Sequence, residues 1–266
     1  MEILSFKVKG KFAHFRKYYA NNTAFSFSIP PRTSIMGMIA AVMGWGKDSY
    51  YETLSSENIR IGVRVLSPLK KSFHRVNFLS IKSIGDLSKN LASDFRGEGG
   101  RIQTPFEVVS AWDISKGDVV YQIFIAPNNS GNDIFQQLKS HFLKNTPVFN
   151  VSLGTANFMA SIYDVQEIKN NLLSVQNSDD FVLVNSAVPT HLIEELKFDK
   201  DEYDNYNFVE EDMMPGDFVA NNNREVSAMN KLLFSTTPNP LRVKLSSPYY
   251  QLKLADETIN IQFVDS

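Results

Sequence analysis

The 266-residue sequence predicts an α+β fold: a ferredoxin-like βαββαβ domain carrying a β-hairpin insert, then a small β-rich region. Three observations carry this. Over the first 168 residues the hydrophobic period switches in the order strand, helix, strand, strand, helix, strand. The two middle strands, expected to be hairpin neighbours, are separated by residues 69–117, too long a stretch to lack structure of its own. Beyond residue 171 only short alternating runs remain.

The elements follow in order. "EILSFKVKG" (2–10) alternates Leu4, Phe6 and Val8 with Ser5, Lys7 and Lys9, a half-buried strand with a basic outer face. Pro30 and Pro31 exclude helix in "SIPPRTS", and Thr33 or Ser34 can cap the helix expected over 34–43. That helix is apolar nearly all round and stops at Gly44 and Gly46, so it should be buried. "DSYYETLS" adds a turn of helix. "NIRIGVRVLSP" (58–68) puts Ile59, Ile61, Val63 and Val65 on one face and Arg60 and Arg64 on the other. "DVVYQIFIAP" (118–127) is a similar strand. "GNDIFQQLKSHFLKN" is a helix with Ile134, Leu138 and Phe142 in register and Asn132 or Asp133 as cap. A glycine loop, "SLGTANF", leads into the last strand, "MASIYDVQEI".

The insert holds two strand-like pieces, "KSFHRVNFLSIK" and "RIQTPFEVVSAW", with "RGEGGR" between them, and reads as a projecting β-hairpin or thumb. In the tail, "DDFVLVNSAVP", "RVKLSSPYYQLKLA" and "TINIQFVD" look like strands around the acidic segment "EELKFDKDEYDNYNFVEEDMMPGD". The expected division is a domain over 1–170 and a smaller one over 171–266.

Composition bounds the function. With 43% hydrophobic and 12% aromatic residues the chain can bury a real core. The lack of Cys excludes disulfides, a thiolate nucleophile and Cys-ligated zinc, and fits a cytoplasmic setting. The N-terminus carries no signal pattern, and the longest apolar run, "IMGMIAAVMGW", is shorter than the roughly 20 residues a membrane span needs. No membrane, cofactor or metal is expected. The net charge of −2 hides an uneven distribution: residues 3–47 carry seven Lys/Arg and no acid, whereas acids dominate 160–225.

The basic run is interleaved with rings in "KVKGKFAHFRKYYANN". Single-stranded nucleic acid needs cations along its phosphates and flat side chains under its bases. Lys9, Lys11, His14, Arg16 and Lys17 can supply charge; Phe15, Tyr18 and Tyr19 can supply stacking. Arg32, Arg60 and Arg64 extend the basic set. In the thumb, His74, Arg75 and Arg101 can grip a strand, and Gly154 in the glycine loop can let backbone approach a phosphate. The same pattern also suits aromatics filling a core beneath solvated lysines, a hairpin kept soluble by its charge, and an ordinary turn at Gly154.

No phosphate-loop, dinucleotide, metal-ligand or nucleophile-elbow motif occurs, and His14, His74, His141 and His191 have no metal spacing. A metal-independent endoribonuclease using His14 or a Tyr as base, with a Lys on the phosphorane, is one alternative to simple binding. A protein-only scaffold is another.

The stretch "FAHFRKYYANNTAFSFSIPPRTSIMGMIAAVMGWGKDSYY" resembles the N-terminus of the fifth CRISPR-associated protein family, in its subtype I-B form. "RIQTPFEVV", "VVYQIFI" and "SLGTANFMASI" extend the resemblance over most of residues 1–165; beyond 171 it lies mostly in the order of elements. Related glycine loops often carry Pro where this chain has Met159. The resemblance implies a non-catalytic subunit of the RAMP superfamily that caps the antiviral Cascade complex. It would hold the 5′ handle of the guide crRNA beside the large and first backbone subunits, close to target DNA at its flanking motif. One family branch cuts precursor RNA with a Tyr, Lys and His set, which cannot be placed on this sequence residue by residue.

Overall fold

In a computed structural model, the described residues are 1–20, 23–94, 96, 100–144, 146–198, 208–219 and 224–265. The middle of the acidic segment (199–207) and half of "RGEGGR" (97–99) lie outside them. The chain runs β1 (Ile3–Gly10), β2 (Phe12–Ala13), β3 (Phe15–Arg16), β4 (Ser26–Phe27), α1 (Arg32–Met43), β5 (Ile59–Val65) and β6 (Leu69–Leu79). Next come α2 (Ile84–Ala92), β7 (Arg101–Ala111), β8 (Val119–Pro127), α3 (Asn132–Lys144), β9 (Val151–Ser152) and β10 (Met159–Ile168). The remainder is β11 (Leu173–Gln176), β12 (Val182–Val184), β13 (Val188–Pro189), β14 (Ile193–Lys197), β15 (Val209–Phe218), β16 (Val226–Ser235), β17 (Leu241–Leu245), β18 (Tyr249–Lys253) and β19 (Thr258–Ile261).

The central sheet has the order β5–β8–β1–β10–β9, with every pair antiparallel. One face carries Leu4, Phe6, Val8, Ile61, Val63 and Ile123 against Ile35, Met36 and Ile39 of α1 and Phe135, Leu138 and Phe142 of α3. Each such side chain stabilises the fold by about 1.5–3 kcal/mol through burial. The opposite face carries Phe124 and Ala126 against Leu252, Ile259 and Ile261 of the small β11–β18–β19 sheet. Both faces are therefore covered, which is why β8 is buried along nearly its whole length. Ala187, Met214, Leu232, Phe234 and Val264 enter the first core, so residues beyond 171 share both cores with residues before it.

α1 starts two residues earlier than the sequence pattern suggests. Pro31 takes the N-cap position with no side-chain cap bond, and Arg32 opens the helix. Proline suits this place because its fixed φ and missing N–H cost nothing at a helix start. Gly44 closes the helix in the left-handed region at φ 74°. α1 is apolar all round because β9, α3 and β15 press on its different sides.

β6 and β7 form the expected hairpin, paired from Leu69↔Ala111 to Leu79↔Arg101. Its tip is a helix, α2, which the sequence reading did not foresee. β15, from the segment read as merely acidic, forms a second long hairpin with β16, which lies beyond that segment. Pro215 and Gly216 argue against a strand there, and the register shifts between Pro215 and Asp217 accommodate them. Among the described residues, no helix is long and apolar enough to cross a membrane.

Candidate nucleic-acid interface

The basic-aromatic segment does not hang free. β2 adds to the thumb at its base, Phe12↔Ser110 and Ala13↔Val109. β3 pairs with β4, Phe15↔Phe27. Ala24 exchanges backbone bonds with Pro105 and Glu107, and the buried Glu107 carboxylate accepts from Ser26 N–H at 2.7 Å. The glycine loop docks on the same place, with His14 N–H donating to Leu153 O at 3.0 Å. Gly154 sits at φ 92°, and a Cβ there would fall 1.8 Å from His14 O. Glycine is thus required by the packing of two chain segments, whatever ligand lies nearby.

A cleft runs along these elements as three cavities that share walls. The first, about 320 Å³, lies between the start of α1 and the glycine loop, lined by Ser34, Tyr50, Tyr51, Asn150 and Arg224 among others. The second, about 510 Å³, shares Thr33, Ser34, Gly154, Phe218 and Arg224 with it and adds His14, Phe15, Arg16 and Tyr18. The third, about 380 Å³, shares Phe78, Phe106 and Thr155 with the second and reaches up the thumb past His74. Arg16 is exposed on this cleft, and Tyr18 and Tyr19 stand 56% and 54% exposed beside it. The first N–H groups of a helix have no intrahelical partner, and Thr33 and Ser34 line the cleft, so α1 presents the positive end of its dipole there.

The sequence-predicted residues divide sharply. Arg32, expected to meet phosphate, is instead 2% exposed. Its guanidinium donates to Asp265 at 2.7 Å, to Asp217, and to the carbonyls of Leu54 and Ile59 at 2.8 and 2.7 Å. Burial pushes the Asp265 carboxyl up, against the pull of Arg32. Arg64 is also buried, forked onto Glu257 at 2.7 and 3.0 Å, and holds that carboxyl below its usual range. Arg60 donates to Asn128 and to the Tyr250 hydroxyl. Arg60 and Arg64 thus fasten the second face of the sheet to the C-terminal strands and do not face the cleft. Lys17 pairs with Asp212 and lies 5.1 Å over the Phe27 ring; burial opposes its charge, but the carboxylate keeps its pKa above the ordinary value. Lys11 turns to Gly117 O and Asp118, and Lys9 lies over Tyr163.

His14 is 2% exposed and stacked on Phe106, with ring centroids 3.9 Å apart. Its Nδ1 donates to Glu107 O at 2.7 Å, and burial pulls its pKa down, so the ring is neutral at neutral pH. Phe15 is in the core, in edge contact with Tyr121. Along β6, residues two apart share a face. His74, Val76 and Phe78 face the cleft with Phe106, their neighbour across the hairpin. Arg75 and Arg101 share the other face, away from it.

Residues 3–107 match the family model described as CRISPR-associated protein (Cas_Cas5). Over that N-terminal stretch the chain is similar to the CRISPR-associated Cas5 family. No curated protein matches it. Its fold is similar to the crystal structure of a CRISPR protein from Archaeoglobus fulgidus, with a TM-score of 0.52 at 14% identity over 98% of this chain and 99% of that one. A structure described as a CRISPR RNA-guided surveillance complex overlaps less well, with a TM-score of 0.47 at 12% identity over 91% and 92% of the two chains. At such identities these likenesses concern fold alone.

Several cleft residues carry no signal in the linear sequence. Phe78, Phe106 and Phe158 lay inside quoted motifs, but nothing in a linear pattern says that three rings from β6, β7 and the glycine loop converge. Arg224 sits in the cleft from a segment read as acidic, held by Asp48 at 2.9 Å. Among the described residues, no cluster of His, Asp or Glu is arranged to hold a metal.

Proposed function

We propose that this chain is a subunit of a CRISPR RNA-guided effector complex and holds the 5′ handle of the guide RNA without cutting it. The observation that carries the reading is the continuous cleft, walled by the basic-aromatic segment, the start of α1, the glycine loop and the thumb. Arg16 and the dipole of α1 supply positive potential to phosphates, and Tyr18, Tyr19 and Phe78 supply flat surface to bases. The sheet order β5–β8–β1–β10, with α1 and α3 on one face, supports describing the platform as ferredoxin-like. The remaining exposed faces, including the thumb face with Arg75 and Arg101, are then free for backbone and large subunits and for target DNA near its flanking motif.

The test is binding of repeat-derived single-stranded RNA to the purified chain over a range of salt. Affinity should fall with salt with a log–log slope of about −0.7 per neutralised phosphate. Affinity that ignores salt would favour a protein-only scaffold. A discrete RNA product formed in EDTA, and abolished in His14→Ala, would favour the endoribonuclease.

A further inference from the structure

The end of the cleft against the thumb is built differently from the rest. Its walls are rings: Phe12, Phe78, Phe106 and Phe158. Phe158 stands 5.8 Å from Phe12 and 6.2 Å from Phe106, while Phe78 stands 6.0 Å from Phe106. Four rings at these spacings would normally close into a core. Here they enclose about 380 Å³ of open space, and Phe78 remains 42% exposed. A hydroxyl adds a second, independent sign: Thr155 Oγ1 is buried on the wall of this pocket and has no hydrogen-bond partner. An orphaned buried hydroxyl costs about 1–3 kcal/mol, so a ligand group that pairs with it gains. The exposed side chain of Asn157 lies on the same wall and offers both a donor and an acceptor.

We infer that this pocket takes one unstacked nucleobase of the bound RNA. The inference rests on the proposed RNA-binding reading and assigns a specific subsite within it. Apolar rings with a few convergent polar groups suit a base, which has a π-face and a hydrogen-bonding edge. The base lies against Phe78 and Phe158 and turns its edge to Thr155 and Asn157. Phe106 is backed on its far side by His14, so the wall is rigid. The shared wall with the Arg16-lined cavity lets the backbone stay in the cleft while one base turns into the pocket.

The experiment is an abasic scan. Repeat-derived RNA is made with one base removed at each position in turn and titrated against the full chain, Phe78→Ala and Thr155→Val. In the unaltered chain, one position should lose about 5- to 150-fold in affinity when its base is removed. In Phe78→Ala that loss should shrink to the level of the other positions. Thr155→Val should weaken binding of intact RNA yet leave the melting temperature unchanged or raised, because the hydroxyl has no partner in the free protein. RNA that binds with no abasic-sensitive position overturns the pocket and leaves the proposed function standing. A sensitive position whose loss is undiminished in Phe78→Ala places the base elsewhere and also overturns it. A chain that binds no RNA removes both readings.

Discussion

Arg32→Met separates a core arginine from an RNA-binding one. The methionine keeps much of the volume but removes every donor. Asp265, 2% exposed at its side chain, and Asp217, 10% exposed, then lose their countercharge, and the carbonyls of Leu54 and Ile59 lose their donors. Removing one partner of a buried ion pair costs about 3–5 kcal/mol. In a chain of this size each kcal/mol is worth about 2–4 °C, so the melting temperature should fall by about 6–20 °C. Urea unfolding gives the free energy, and RNA titration below the transition gives the affinity of the folded fraction, which should not change. A loss of less than about 1 kcal/mol in stability, together with weaker RNA binding, would refute the placement of Arg32 in the core.

Other expectations follow from the same geometry. Gly154→Ala must place a Cβ against His14 O at positive φ, and should cost at least ~2 kcal/mol in stability and weaken RNA binding with it, read by urea unfolding and titration. His14 is neutral in the folded state because burial lowers its pKa, so the unfolded chain takes up the proton first as pH falls below about 6.5. That group's stabilisation is complete above its unfolded pKa and is lost from there down to the folded pKa, at no more than ~1.4 kcal/mol per pH unit; His14→Gln should remove this slope from a plot of stability against pH. Arg16→Ala should flatten the salt dependence of RNA binding by about 0.7, whereas Arg60→Ala should leave it unchanged.

Much of the fold is legible in the sequence because its signals are local. "MASIYDVQEI" is β10 residue for residue, and the Ile134–Leu138–Phe142 spacing is α3. The thumb strands were readable for the same reason. Its helical tip is signalled only briefly, by Ser83 as cap and by Ile84, Leu87 and Leu91 at helical spacing, inside a stretch read as the turn of a hairpin; those apolar side chains lie exposed. The β15–β16 hairpin hid behind Glu210, Glu211, Asp212 and Pro215.

Charge misled the reading of the site more than pattern did. Counting cations singles out the basic-aromatic loop but cannot say which cations are already paired. The answers lie far along the chain: Asp212 for Lys17, Asp217 and Asp265 for Arg32, Glu257 for Arg64. The acidic C-terminal region thereby supplies countercharges to the basic N-terminal one, a long-range pairing with no linear signature. With Lys17, Arg32 and Arg64 paired to these carboxylates, Arg16 is left as an exposed cation on the cleft beside the start of α1.

The most direct test of the central claim is photocrosslinking of 4-thiouridine-labelled repeat RNA to the full chain, with the linked residues located by mass spectrometry. The cleft account predicts links at Tyr18, Tyr19, Phe78 and the glycine loop around Phe158. Links concentrated instead around Arg60, Arg64 and Tyr250, on the face closed by the C-terminal strands, would contradict it.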